Sequence, residues 1–178
     1  LDGRYLRNGA NPFTGTSQHP FFGDGMIHGV RLRDGRAEWY RNRYVQTPFI
    51  ADPTVDVLDP SVVVDLTASK ANTHVIGHAG RILALEEGHF PYVLDGDLST
   101  VGPLDFDGAL TGSFTAHPKI CPVTGELLAF GYSMFEPYLR YLRVSADGRL
   151  VQTENITVGG PTMMHDFNVT RNHVAFMD

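Results

Sequence analysis

The chain is broken at short intervals by tight-turn residues. Asp34-Gly35, Asp95-Gly96 and Asp147-Gly148 each follow a short apolar-rich run, and runs of the same kind flank the first and last of them. Asp-Gly supplies the positive φ angles that a two-residue hairpin turn needs. Strands are therefore expected at 26–32 and 37–45, at 62–66, 73–77, 82–86 and 91–94, and at 127–132, 139–145, 150–157, 169–170 and 174–177. No stretch repeats apolar residues every 3.6 positions, so little or no helix is expected. Residues 48–61 carry Pro48, Pro53 and Pro60 and read as a loop with one helical turn. Hairpins recurring every ~40–50 residues are the mark of propeller blades, four-stranded sheets set around a central axis. The 178 residues supply strand for only about three to four blades. The expectation is an all-β chain forming part of a propeller, with residues 1–178 as one portion of a single domain. A complete sandwich or jelly-roll-like barrel is the rival.

Composition narrows the partners. Hydrophobic residues make up 42% and charged residues 19%, a globular balance. The net charge is −6 and no Lys/Arg block stands out, which argues against a nucleic-acid partner. The single cysteine, Cys121, has no partner for an internal disulfide and reads as a small buried or half-buried residue in a reducing compartment. No apolar run approaches the ~18 residues that span a bilayer. The opening Leu1-Asp2-Gly3-Arg4 lacks a basic stretch followed by an apolar one. These features point to a cytoplasmic location. Both ends read as places where a longer protein is interrupted.

Two stretches carry the chemistry. Phe114-Thr115-Ala116-His117-Pro118-Lys119 precedes the strand-like run 126–132, and Met163-Met164-His165-Asp166-Phe167-Asn168-Val169-Thr170 repeats the arrangement 48 residues later. Each sets one histidine at the edge of a β-rich segment among small and apolar neighbours. One structural repeat apart, the two could face one central cavity and share a metal ion. Spacing alone does not decide this.

The surrounding residues resemble those of the carotenoid cleavage oxygenases, which include apocarotenoid, lignostilbene and retinal-pigment-epithelium types. The matching pieces occur in order: Gly3-Arg4-Tyr5-Leu6-Arg7-Asn8-Gly9 with Asn11-Pro12, Gly23-Asp24-Gly25-Met26-Ile27-His28, Tyr40-Arg41-Asn42-Arg43-Tyr44-Val45, Ala71-Asn72-Thr73, Leu83-Ala84-Leu85-Glu86-Glu87-Gly88 with Pro91-Tyr92, the His117 stretch with Thr124-Gly125-Glu126, and His165-Asp166-Phe167. The resemblance implies a seven-bladed β-propeller of which this chain supplies roughly the first half. It also implies an axial non-haem Fe(II) held by four histidines with three glutamates behind them. His117 and His165 match two of the metal ligands, and the other two belong to the family's C-terminal half. Glu87 matches the first of the glutamates and is expected to orient His165. Thr73 matches a position beside the vacant side of the iron, where a small side chain limits what binds; an ordinary strand residue is the competing reading.

The activity implied is O2-dependent cleavage of a conjugated C=C bond in a carotenoid or apocarotenoid, giving two carbonyl products. The partners implied are an apolar polyene, O2, the remaining half of the propeller and a peripheral membrane contact. A stilbene or phenylpropanoid substrate is the alternative, as are a retinoid-type isomerase and a non-catalytic propeller piece. In lignostilbene-type relatives the residue before the glutamate tends to be a lysine that holds the substrate phenol. Glu86 stands there instead, which argues against a hydroxystilbene.

The remaining polar residues receive structural readings. Glu86 is expected to face away from Glu87 and stay solvated. His28 is assigned to packing or a backbone hydrogen bond, and His19 and His89 to loops. His74 and His78 fall in a strand, where positions i and i+4 lie ~13 Å apart, too far for a shared metal. Asp24 reads as turn chemistry first and as cavity lining second. Asp166 is expected to fix the loop that presents His165. The sequons at Asn155 and Asn168 carry no weight without a secretory signal.

Overall fold

The Asp34-Gly35 turn has φ angles of 51° and 74°, as a primed hairpin turn requires. It joins β2 (Asp24–Arg33) to β3 (Arg36–Tyr44), and β1 (Gly3–Asn11) pairs with the other edge of β2 over its full length. β1 lies outside every strand window read from the sequence. Its alternation is masked because its burial pattern runs from exposed to half-buried with no fully buried position.

The structure, a computed structural model, describes residues 1–177. Asp178, the last residue of the expected 1–178 domain, lies outside the described residues. The second sheet runs β4 (His74–His78), β5 (Arg81–Leu85), β6 (Tyr92–Leu94) and β7 (Thr100–Pro103), hydrogen-bonded in that order. The third runs β8 (Lys119–Ile120), β9 (Leu127–Tyr132), β10 (Leu139–Val144) and β11 (Leu150–Ile156), again in chain order. A two-stranded ribbon, β12 (Asn168–Val169) and β13 (Val174–Ala175), follows. All pairings are antiparallel, and no sheet closes on itself among the described residues. An up-and-down meander of four strands is the strand order of a propeller blade.

Alternation along single strands shows how the sheets stack. On β5, Leu83 and Leu85 pack with Leu127, Ala129, Leu142 and Val144 of the third sheet. Ala84 between them packs the other way, with Ile27 of the first sheet. On β9, Leu127 and Ala129 face the second sheet, whereas Leu128 and Phe130 face Phe167 and the ribbon. Period-two alternation thus gives each central sheet two buried faces. The sheets stack in chain order, with an apolar layer between each pair. Full burial of one Leu in such a layer stabilises by roughly 1.5–3 kcal/mol.

Two further expectations fail. Residues 62–66 are no strand: Pro60–Val63 form a helical turn, α2, in which Asp59 accepts the Ser61 backbone N–H, and Pro48–Ala51 form another, α1. Proline at the first helical position and an Asp cap outweigh the β-branched run Val62-Val63-Val64. Strands β7 and β8 also appear where none was expected. Both are short, and β7 contains Gly102 and Pro103, which weaken a sequence signal for a strand.

Candidate metal centre

Each sheet after the first delivers a candidate residue at the same topological place. Thr73 directly precedes β4, His117 lies two residues before β8, and His165 lies three residues before β12. Glu87 follows β5, the antiparallel neighbour of β4, so it emerges at the same end of the sheet as Thr73. The Thr73 backbone N–H donates to the Leu85 carbonyl at 3.0 Å and ties these two ends together.

The structure brings Glu87, His117 and His165 to one point. Glu87 Oε1 lies 2.5 Å from His165 Nδ1 and 3.9 Å from His117 Nε2. The two imidazole rings are 4.5 Å apart at 65°. One ligand-capable atom from each of the three lies within 4.8 Å of the others. The other Glu87 oxygen, Oε2, accepts the Tyr132 hydroxyl at 2.9 Å. His117 is set by its own loop: its N–H donates to Thr115 Oγ1 at 2.9 Å, and the Thr115 N–H donates to the Phe130 carbonyl at 2.7 Å. Asp166 Oδ1 accepts both its neighbour's Phe167 N–H and Lys119 Nζ, which fastens the His165 segment to β8.

His117 Nε2 is buried and has no hydrogen-bond partner among the described residues. Burial, with His165 beside it, pushes the His117 imidazole below its usual range and keeps it neutral, the form that ligates a metal. A buried imidazole nitrogen without a partner, a second imidazole against it and a carboxylate on that second ring form a donor set suited to a divalent transition metal. Iron(II) fits these residues on that ground. In such a set His117 and His165 would be the ligands, with Glu87 Oε1 placed against His165 Nδ1.

Against Glu87 and His165 opens a cavity of about 410 Å³, lined also by Thr73, Glu86, Tyr132 and Met163, with Phe21, Phe22 and Val57 among its apolar walls. The Thr73 hydroxyl contacts the Asn72 side-chain carbonyl at 3.1 Å. Asn72 is itself clamped, donating to the Phe21 and Gly23 carbonyls.

The structure corrects the reading of Glu86. Its carboxylate is not solvated; it accepts from the Ser69 hydroxyl, the Gly88 N–H and His89 Nδ1, the last at 2.7 Å. Both glutamates lie beyond the end of β5, where strand alternation no longer separates them. Burial pushes the Glu86 carboxyl up, but His89, Gly88 and Ser69 together hold it below the usual range. Burial pulls the His89 imidazole down, but Glu86, then Asp65 and the Val62 carbonyl, raise it above its usual value. His89 is in a loop as expected, yet it is half of an ion pair.

Asp24 is neither turn nor free lining. It pairs with Lys70 Nζ at 2.8 Å and accepts the Phe13 N–H. His28 bonds a side chain, the Tyr40 hydroxyl, rather than backbone. His74 and His78 lie in β4 as expected, and His74 Nδ1 lies 2.8 Å from the Ala116 carbonyl, one residue before His117. Tyr132 stands at the end of the expected 127–132 strand, with no other role read for it. The signal for it was present in β9, whose last residue comes out at the same sheet end as His117.

Stacked antiparallel meanders with a histidine–carboxylate cluster at one common end define an all-β, propeller-type protein built around a candidate metal centre. The chain belongs to the family described as RPE65, retinal pigment epithelial membrane protein, whose model matches residues 1–178. It is 46% identical over 185 residues to a carotenoid cleavage oxygenase of Mycobacterium tuberculosis, covering 100% of this chain and 37% of that protein. It is 41% identical over 210 residues to a carotenoid 9,10(9',10')-cleavage dioxygenase 1 of Arabidopsis thaliana, covering 100% and 39%. The lignostilbene dioxygenase structure of Pseudomonas brassicacearum superposes with a TM-score of 0.85 at 34% identity, covering 99% of this chain and 40% of that one. The chain therefore spans about two-fifths of the length of the relatives it matches.

Proposed function

We propose that the chain is the N-terminal portion of an iron(II)-dependent dioxygenase that cleaves a conjugated C=C bond of a carotenoid or apocarotenoid. The observation that carries this reading is the unpartnered, buried His117 Nε2 facing the Glu87–His165 pair beside an apolar-walled cavity. The protein as a whole forms a seven-bladed propeller, and the portion outside this chain contributes two further histidines. Iron(II) held by His117 and His165 supplies the activation of O2.

The chain's own residues do the rest. Glu87 accepts the His165 Nδ1 proton and fixes which nitrogen of that ring is free to ligate. Thr73 limits the width of the cavity where it meets the centre. Phe21, Phe22 and Val57 give the polyene an apolar bed and exclude water, so that one double bond is held in register. The reaction consumes one O2 per alkene. The C=C bond breaks, and each carbon leaves bonded to one oxygen as a carbonyl.

Exposed Phe21 and Met163 at the cavity support a peripheral membrane contact through which a lipid-borne substrate enters a cytoplasmic enzyme. Among the described residues no helix is long and apolar enough to cross a membrane. The likeness to the lignostilbene dioxygenase favours a second reading, cleavage of a stilbene-like substrate by the same centre.

The test uses the longer protein that contains this chain. Its iron content is measured, and its products from an apocarotenoid and from a hydroxystilbene are analysed under O2. The expected result is about one iron per chain and a pair of aldehydes from the apocarotenoid. Aldehydes from the stilbene alone would establish the second reading. A His117→Ala variant that keeps both iron and cleavage would sink the assignment of the centre.

A further inference from the structure

Tyr132 is the last residue of β9, and its hydroxyl donates to Glu87 Oε2 at 2.9 Å. The other Glu87 oxygen is the one that meets His165 and faces His117. A carboxylate held only by its own side-chain torsions can rotate. One held at both oxygens cannot rotate without breaking a hydrogen bond. Glu87 itself leaves a loop beyond β5, where strand pairing gives no support.

Tyr132 is well placed to supply that support. Its backbone carbonyl accepts the Ser113 hydroxyl at 2.6 Å, and its position on β9 is paired with Leu139 of β10. Burial and the neighbouring Glu87 carboxylate push the phenol above its usual range, so it remains a donor. The ring also forms a wall. A second cavity of about 400 Å³, lined by Val63, Leu66, Met134 and Phe135, shares only Gly88, His89 and Tyr132 with the cavity beside the centre. Gly88 offers no side chain, and His89 is tied to Glu86. Tyr132 is thus anchored in a sheet, packed between two cavities, and bonded to the one carboxylate that sets the orientation of His165.

We propose that Tyr132 is a positioning residue for the metal centre, acting through Glu87 to set the orientation of His165. This rests on the function proposed above. The phenylalanine variant is the informative one, because it keeps the ring and the wall and removes only the hydroxyl. Support of this kind behind a metal ligand typically carries a 10–100-fold effect on metal affinity.

The test uses the longer protein, freed of metal and titrated with Co(II), whose visible bands report ligand geometry. Expected for Tyr132→Phe are a fall of about 10–100-fold in Co(II) affinity and shifted bands, with the Tm of the metal-free protein close to that of the parent. Glu87→Gln is expected to do the same, and the double variant to lose no more than the larger single effect, because both act through one contact. Parent-like Co(II) affinity and bands in Tyr132→Phe, with Glu87→Gln impaired, would overturn the role of Tyr132 and leave the proposed function standing. Parent-like Co(II) binding in His117→Ala and His165→Ala would overturn the proposed function itself. If Tyr132→Phe does not fold, 3-fluorotyrosine at position 132 changes the acidity of the hydroxyl at nearly constant shape. Shifted bands then support the role, and an unchanged spectrum overturns it.

Discussion

Glu86 and Glu87 stand side by side in the sequence and do different work. Glu87 faces two histidines and a tyrosine, and Glu86 closes an ion pair with His89 under a cap from Ser69. The Glu86–His89 pair has a pH signature. Glu86 is depressed on folding, so its contribution is present above its unfolded value and lost as pH falls through its folded one. His89 is raised above 6.5, so its contribution is present below that value and lost as pH rises through the folded one. A Tm series on the parent and on His89→Gln, from about pH 5 to about pH 9, should show the largest gap at the acid side of 6.5. The gap should close as pH rises; a gap that widens would show that the pair is not what stabilises this loop. Gly131 makes a second prediction at this scale. A Cβ there would sit 2.1 Å from the Ser113 backbone oxygen, directly beside Tyr132. Gly131→Ala is expected to destabilise by about 1–3 kcal/mol, read from denaturant unfolding.

The strand ends that carry Glu87 and Tyr132 are held because β5 and β9 behind them are buried on both faces. Leu142 of β10 packs in the layer shared by the second and third sheets, and it is 1% exposed. Leu142→Ala is expected to cost about 2–5 kcal/mol. Because this layer lies under both the Glu87 and the His117 loops, metal affinity should fall along with Tm. The Lys119–Asp166 link behaves differently. It joins the first strand of the third sheet to the His165 segment, but its side chains are 39% and 49% exposed. A surface pair of that kind contributes about 0–1 kcal/mol. Lys119→Met is therefore expected to leave Tm nearly unchanged, with chemical denaturation as the check, and a drop much above that range would mean the link holds more than one loop.

At the scale of the molecule, the sheets stack in chain order and present Thr73, His117 and His165 from equivalent positions. That regularity is what lets residues 48 positions apart meet at one point. Removing iron from the longer protein with a chelator should lower its Tm, because a ligand bound only to the folded state stabilises it. The loss should be smaller in Glu87→Gln, where iron is held less tightly, and calorimetry with and without chelator gives both numbers.

Much of this was legible in the sequence. The turns at Asp34-Gly35 and Asp147-Gly148 announced hairpins, because positive φ is a local demand that few residues meet. The buried strands β5, β9 and β10 showed as apolar runs of the right length. The ordered motifs around His117 and His165 pointed to the family. What local pattern could not carry was decided by packing. The Val62–Val64 run became part of a helical turn because a proline and an aspartate ahead of it set the backbone first. Glu86 became buried because His89 and Ser69 fold over it, a contact invisible in spacing. Tyr132 reached Glu87 because two sheets stack, and no property of either segment alone records that meeting. Local backbone chemistry is written residue by residue, so the sequence determined most of the strands, the turns and which residues are candidates to bind a metal. The partners that hold those residues in place come from distant segments, and only the tertiary structure decided them.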